Sequence, residues 1–318
     1  MNVLQHLAEV VAGLLREDNR RIVLGEDVID GGMLGLTRAV AADAELRERL
    51  IATPLTPSVT FAHAAGLALG GRRPLVVLAS TTALLEGLAG LREACVMEWR
   101  TAQARRVPML IVAPCGPGFS IGGDASDGIE GVLSRVRGIR VLCAGQAGDA
   151  GAWLRAAAEL ADAEGPTVLL LPRTLLLREL NDPPRHDLGR GPIEAHAVRD
   201  GNSATVFAWG ESVELALAAT ERAGVDAAVI DVGCLCPLDR DGLAAHARAT
   251  GKLVIAHGSD RAVAGELAAL FADEAILHLD APVTSVGGAA GPVSAGGEAA
   301  ALPSVDRLAQ AIVSVAEY

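Results

Sequence analysis

The stretch TPLTPSVTFAHAAGLALGGRRPLVVLAS, residues 53–80, combines a helix start with a buried strand. Thr56 suits the N-cap position and Pro57 the first helical position, and the run of small residues that follows predicts a closely packed helix. After a Gly-Gly pair, segment 72–80 is apolar without alternation, which is typical of a strand covered on both faces. A helix followed at once by such a strand predicts a parallel α/β sheet.

The rest of the chain repeats this rhythm. Apolar strand candidates are separated by helical stretches such as 84–104, and they lie at 21–28, 72–80, 107–116, 138–145, 165–173, 203–210, 225–239 and 251–258. Segment 179–201 breaks the alternation, because it is rich in Pro, Gly and charge and has no apolar periodicity. We therefore predict an α/β fold of two three-layer domains with mainly parallel sheets. The predicted bounds are 1–180 and 201–318, joined by a linker over 181–200.

Composition narrows the class of protein. Of the 318 residues, 51% are hydrophobic and 3% aromatic, and the formal net charge of −12 argues against nonspecific binding to nucleic acid. No apolar run reaches membrane-spanning length, and the N-terminus is typical of an amphipathic helix rather than a signal peptide. Lys252 is the only lysine, and the five cysteines fit reduced thiols better than disulfides. We expect a cytoplasmic protein.

Candidate site residues follow from the position of strand ends, since sites in parallel sheets gather at the carboxyl edge. This rule selects Glu26 after the first strand, segment 80–83, the loop CGPGFSIGGDASDG at 115–128, and His257. Each also has a structural interpretation. Glu26 and its neighbour could cap a loop, the glycines could serve only turns rather than a phosphate, and a hydrogen-bonded strand-end histidine is favoured for His257. The residues alone leave the chemistry open.

Taken in order, the segments resemble a known family. The motifs VLGEDV, ATPLTPSVTFAHAAGLALGGRRPLVVL, GPTVLLLPR, SATVFAWGESVELALAA and LPSVDRLAQAI are similar in sequence order to the β subunit of the decarboxylating component of 2-oxo acid dehydrogenases. The resemblance spans nearly the whole chain. It implies a pyrimidine-binding domain followed by a transketolase C-terminal domain. It also implies a separate α subunit that holds the diphosphate and Mg²⁺ of thiamine diphosphate, so that this chain has no metal site and works in a heterotetramer.

The resemblance marks cofactor-binding positions at which this chain differs from the family. Pro57 falls where the family has a glutamate that protonates a ring nitrogen of the coenzyme, and proline has no proton to relay. Ser80, Thr81 and Thr82 stand where the family places aromatic rings beside the aminopyrimidine. Glu26 is retained on the position of an acidic residue that links the paired sites, which makes it a catalytic and cofactor-binding candidate.

A further departure lies in the loop after the Gly pair. The family motif His-Ser-Gln is absent there, and the acids Asp124 and Asp127 stand nearby instead. Both are candidates for a proton-transfer role, which completes the catalytic set of Glu26, Asp124 and Asp127.

Three functions remain open at this point. The first is a β-like subunit of a thiamine-dependent enzyme, specialised in its chemistry, that transfers an acyl or hydroxyacyl unit from a 2-oxo acid or ketose to a lipoyl or carrier-protein thiol. The second is a catalytically decayed structural or regulatory β subunit that supports an α partner. The third is a transketolase-like protein without thiamine. We expect the first, an enzyme subunit, because the resemblance is retained over the full chain.

Overall fold

The computed structural model describes residues 1–102, 104–123, 128–180, 194–258, 260–289 and 291–318. Within these ranges, the strands are β1 (Arg21–Gly25), β2 (Leu50–Ala52), β3 (Arg73–Val77), β4 (Leu110–Cys115), β5 (Arg140–Cys143), β6 (Thr167–Pro172), β7 (His196–Arg199), β8 (Ala204–Ala208), β9 (Ala227–Asp231), β10 (Cys234–Cys236), β11 (Leu253–Ala256) and β12 (Thr284–Val286). The helices are α1 (Val3–Glu17), α2 (Arg38–Ala42), α3 (Pro57–Leu69), α4 (Thr82–Glu86), α5 (Leu88–Arg100), α6 (Glu130–Leu133), α7 (Ala150–Glu164), α8 (Arg173–Leu176), α9 (Ser212–Ala223), α10 (Arg240–Thr250), α11 (Ala262–Glu274) and α12 (Val305–Ala316).

The first sheet has the strand order β10-β5-β6-β4-β3-β1-β2. Its strands run parallel except for β10, which pairs antiparallel with β5. Their continuous apolar sequences need cover on both faces, and helices supply it: α1 and α7 pack on one face, and α3 and α5 on the other. The predicted three-layer parallel architecture is confirmed here.

The second sheet has the order β12-β11-β8-β9-β7, with only β7 antiparallel to its neighbour. Helices α9 and α12 cover one face, and α10 and α11 cover the other. The α10–α11 layer belongs to the same hydrophobic cluster as α3 and α5, so the cores of the two halves are continuous. Two mainly parallel α/β units are therefore packed against each other.

One predicted strand divides between the two sheets. Segment 225–239 forms β9 in the second sheet and then β10 at the edge of the first, where Cys234 pairs with Leu142. The turn between them contains Gly233 at φ 57°, a left-handed conformation that glycine adopts at least cost. A single apolar run therefore ties the second half of the chain to the first sheet.

The N-terminal amphipathic helix is confirmed as α1. Asn2 caps it by accepting the backbone N–H of Gln5, and nine of its residues are buried. Among the described residues, no helix has both the length and the apolar character needed to cross a bilayer.

Candidate functional site

Three sequence-predicted segments meet at one edge of the first sheet. Strands β3, β1 and β2 are adjacent and parallel, and Gly25 pairs with both Val77 and Ala52, so their carboxyl ends lie side by side. Glu26 follows β1, Ser80–Thr82 follow β3, and Pro57 follows β2 after a four-residue loop. This edge, defined by Glu26, Pro57 and Ser80–Thr82, is called the strand-end site below.

Glu26 is the carboxylate at the centre of the strand-end site, and it is partly exposed. Burial, followed by the negative charges of Asp27 and Glu86, raises its pKa above the ordinary value of a glutamate. The backbone before it is tightly packed, because a Cβ on Gly25 would lie 2.2 Å from the carbonyl oxygen of Val77. Glu26 therefore follows a tightly packed backbone and retains a proton to higher pH than a free glutamate does.

Pro57 is buried at the first position of α3, as predicted. Thr56 occupies the N-cap position, although its side chain makes no capping hydrogen bond. The proline ring faces Gly87, where an added Cβ would lie 3.0 Å from the Cβ of Pro57. Position 57 therefore carries a buried ring that packs towards Gly87 and has no group that donates or accepts a proton.

The end of α4 is seated against the start of α3. Ser58 Oγ donates to the backbone oxygen of Glu86 at 3.0 Å, which places Glu86 beside position 57. Glu86 is exposed, and its negative charge contributes to the raised pKa of Glu26. The sequence did not indicate Glu86, because its approach depends on the end of α4 falling at Gly87.

Ser80, Thr81 and Thr82 join β3 to α4. Thr81 is buried, whereas Ser80 and Thr82 are partly exposed. The carbonyl oxygen of Thr81 accepts the N–H of Leu84 at 3.0 Å, which begins the helical turn. This part of the strand-end site presents hydroxyl groups rather than a ring on which an aromatic ligand could stack.

The predicted catalytic residues Asp124 and Asp127 lie outside the described residues. The Gly-rich loop that precedes them, residues 116–123, is described up to Gly123 and leaves the carboxyl end of β4. Its backbone N–H groups do point at an anion, but that anion is the carboxylate of Glu298 from the second half of the chain.

A second group of acids was missed by the sequence reasoning. Glu130 at the start of α6, Glu211 before α9 and Asp260 before α11 line a cavity of about 20 Å³ between the two halves, close to the space that one water needs. Ser212 also lines it, and within the described structure its buried Oγ has no hydrogen-bond partner. Glu211 and Asp260 both follow carboxyl ends of strands, so the strand-end rule was the signal available for finding them.

The surroundings of this cavity disfavour the ionised form of its carboxyl groups. Burial, followed by the negative charges of Asp260 and Glu211, raises the pKa of Glu130 to about 8, and burial raises that of Glu211 to about 7. Although parts of both residues remain exposed, the Oε2 atom of Glu130 is buried without a partner among the described residues. Asp260, in contrast, accepts the N–H groups of Gly131 at 2.6 Å and Ala262 at 2.8 Å.

His257 is a hydrogen-bonded strand-end histidine, as the sequence favoured. It is buried, its ring stacks on Trp209, and its two nitrogens contact Gly258 O at 2.6 Å and Ser285 Oγ at 3.0 Å. Burial lowers its pKa, so the ring is neutral near pH 7. In the part of the chain that the structure describes, no three His, Cys, Asp or Glu residues are arranged to hold a metal ion.

Comparisons with known proteins identify both domains of the chain. The transketolase pyrimidine-binding domain matches residues 1–178, and the transketolase C-terminal domain matches residues 194–308. The 2-oxoisovalerate dehydrogenase subunit beta of Pseudomonas aeruginosa is 29% identical, over 100% of this chain and 95% of that protein. The pyruvate dehydrogenase E1 component subunit beta of Staphylococcus epidermidis is 28% identical, over 90% of this chain and 89% of that protein.

A solved structure shows the same fold. A split-gene transketolase, described as an inactive beta4 tetramer, superimposes with a TM-score of 0.73 at 20% identity, over 100% of this chain and 97% of that one. The chain therefore belongs to the family of proteins with a transketolase-type pyrimidine-binding domain, followed here by a transketolase C-terminal domain.

Proposed function

We propose that this chain is a β-like subunit of a heteromeric enzyme of the 2-oxo acid dehydrogenase type. It would act with an α partner in a heterotetramer and transfer an acyl or hydroxyacyl unit from a 2-oxo acid or ketose to a lipoyl or carrier-protein thiol. The observation that carries the proposal is the convergence of Glu26, Pro57 and Ser80–Thr82 on three adjacent strand ends. Similarity to dehydrogenase β subunits over both domains supports it.

The coenzyme that the family implies is thiamine diphosphate, which supplies a nucleophilic thiazolium carbon. The residues present fit it in one respect, because Glu26 offers a partly buried carboxyl group with a raised pKa at the strand end. They do not fit it at position 57, where a buried proline ring replaces the acid, nor at Ser80–Thr82, where hydroxyls replace rings.

We place the site's proton on Glu26. Its pKa is raised, whereas the neighbouring position 57 cannot titrate. Glu86, beside position 57, favours this protonated state through its negative charge. In this proposal Glu26 holds the proton, Pro57 supplies no titratable group, and the Ser80 hydroxyl orients a polar ligand. Asp124 and Asp127 remain proposed proton-transfer residues.

Calorimetry with thiamine diphosphate and Mg²⁺ tests this function. We expect binding by the complex of this chain with an α-type subunit and none by this chain alone, because the partner is proposed to hold the diphosphate and metal. A well-formed heteromer that shows no coenzyme binding would remove the proposal.

A catalytically decayed structural subunit is the second candidate. Pro57 and the missing aromatic platform favour it, since both losses fall in the strand-end site while the core of both domains is intact. This candidate predicts a heteromer that turns over no 2-oxo acid or ketose. The heteromer either binds the coenzyme without reaction or does not bind it at all. A transketolase-like protein without thiamine predicts no stable complex with an α-type chain.

A further inference from the structure

The Gly-rich loop after β4 is wrapped around a single carboxylate. Glu298 accepts the backbone N–H groups of Gly118 at 2.8 Å, Ser120 at 3.2 Å and Gly122 at 2.7 Å. Every second amide of the loop therefore points at the same side chain. Convergent backbone N–H groups of this kind form a concave nest that binds anions.

The backbone of this loop is strained at two positions between the Glu298 contacts. Phe119 and Ser120 have φ values of 68° and 54°, which non-glycine residues adopt only at a cost in energy. Phe119 is 39% exposed and Ile121 is 47% exposed, so the loop turns its amides inward and its apolar side chains outward. Burial of these side chains therefore does little to hold the loop, and the N–H contacts to Glu298 stabilise its strained backbone.

Glu298 reaches the loop from the other half of the chain. It lies in a 3₁₀ helix, Ala295–Ala301, and is 6% exposed. Buried Arg173 donates to the carbonyl oxygen of Gly116 at 2.7 Å and interacts electrostatically with Glu298, which balances the buried charge. A carboxylate this enclosed is not displaced by solutes from bulk water without opening the contact between the two halves.

We infer that Glu298 is the resident anion of an oxyanion-binding nest formed by residues 118–122, and that it is the positioning residue for this loop. The carboxylate closes the nest to phosphate and to small carboxylates. Removal of Glu298 therefore opens a site for formate, acetate or inorganic phosphate. The inference is independent of coenzyme binding and of the proposed function.

Hydrogen–deuterium exchange on the full-length chain tests the inference. In Glu298→Ala we expect the amides of residues 118, 120 and 122 to exchange at least about tenfold faster than in the wild type, because each loses a charged acceptor. Glu317→Ala, which removes an exposed carboxylate, is the matched control and leaves loop exchange unchanged. Formate or inorganic phosphate slows exchange again in Glu298→Ala, in a saturable way, and has no effect on the wild-type loop.

Two results would overturn the inference: wild-type exchange in Glu298→Ala, or faster exchange that neither formate nor phosphate reverses. If the alanine variant does not accumulate as folded protein, Glu298→Gln replaces it, since glutamine keeps the volume and one acceptor oxygen but loses the charge. Faster exchange confined to the loop is then expected, with β4 unchanged. Wild-type exchange in the loop of Glu298→Gln would contradict the role of the charge.

Discussion

At the scale of single residues, position 57 carries the main chemical question. The sequence placed Pro57 at the first turn of a helix, and the structure confirms it there, buried against the end of α4. That it occupies the place of a coenzyme-facing acid stays a prediction. The sequence alone did not show that Glu86 lies beside it, because this neighbour is brought in by packing between α3 and α4 rather than by any local pattern.

Restoring an acid at position 57 tests that prediction. In the complex with an α-type subunit, Pro57→Glu should increase the rate of hydrogen–deuterium exchange at the thiazolium carbon of bound thiamine diphosphate, because a second carboxyl group then faces the coenzyme. Pro54→Glu, in the exposed part of the same loop, is the control and should leave the rate unchanged. Equal rates in both variants and the wild type would show that the side chain at position 57 does not face the coenzyme.

The acidic cavity between the two halves predicts a pH dependence of stability. Folding raises the pKa of Glu130 from 4.5 to about 8 and that of Glu211 from 4.5 to about 7. The folded chain therefore binds more protons than the unfolded chain between these values. The contribution of this proton binding to the free energy of unfolding is fully present below about pH 4.5. It is lost as the pH rises through about 7 and 8.

Glu130→Gln should remove much of this dependence. At about pH 8.5 we expect the variant to be more stable than the wild type by roughly 1–3 kcal/mol, because it no longer buries a charge, and at about pH 5 the two should be similar. Chemical denaturation at both pH values measures the difference. Glu9→Gln, at an exposed position, is the control, and a stability gain of the same size in that variant would contradict the account.

At the scale of elements, the predicted helix over 84–104 is interrupted at Gly87, which separates α4 from α5. Position 87 admits only glycine, because a Cβ there would lie 2.3 Å from Cε2 of Phe61 in α3. Helical periodicity predicted a helix over this segment but could not reveal that close contact with a different helix. Local patterns likewise could not predict that β10 pairs with β5, because β5 is in the other half of the chain.

The contact at Gly87 can be tested with two glycines that differ in their surroundings. Gly87→Ala should destabilise the protein by about 1–3 kcal/mol, because the added methyl group overpacks against Phe61 and Pro57. Gly66→Ala, within α3, should be neutral or stabilise it by up to about 1 kcal/mol, since nothing lies within 4 Å of the added atom. Urea denaturation of both variants gives the comparison, and equal stabilities would show that α4 does not pack on α3 in this way.

At the scale of the whole molecule, the sequence predicted two mainly parallel α/β units, because non-alternating apolar strands require helices on both faces. The strand-end rule also selected Glu26 and residues 80–83, whereas Pro57 came from the family resemblance, and a coenzyme site at this edge stays a prediction. The sequence could not predict the cavity lined by Glu130 and Glu211 or the contact of Glu298 with residues 118–122. The cavity and the Glu298 contact both join residues from different halves of the chain, and no local sequence pattern predicts such contacts.

The central claim is that Glu26, rather than residue 57, is the proton-holding group of a site shared with a partner chain. Hydrogen–deuterium exchange at the thiazolium carbon, measured in the heteromer with bound coenzyme, tests it most directly. Glu26→Gln should lower the exchange rate by about 10²-fold or more, the usual contribution of a positioned acid or base, while coenzyme binding persists. A rate equal to that of the wild type in a heteromer with bound coenzyme would contradict the claim.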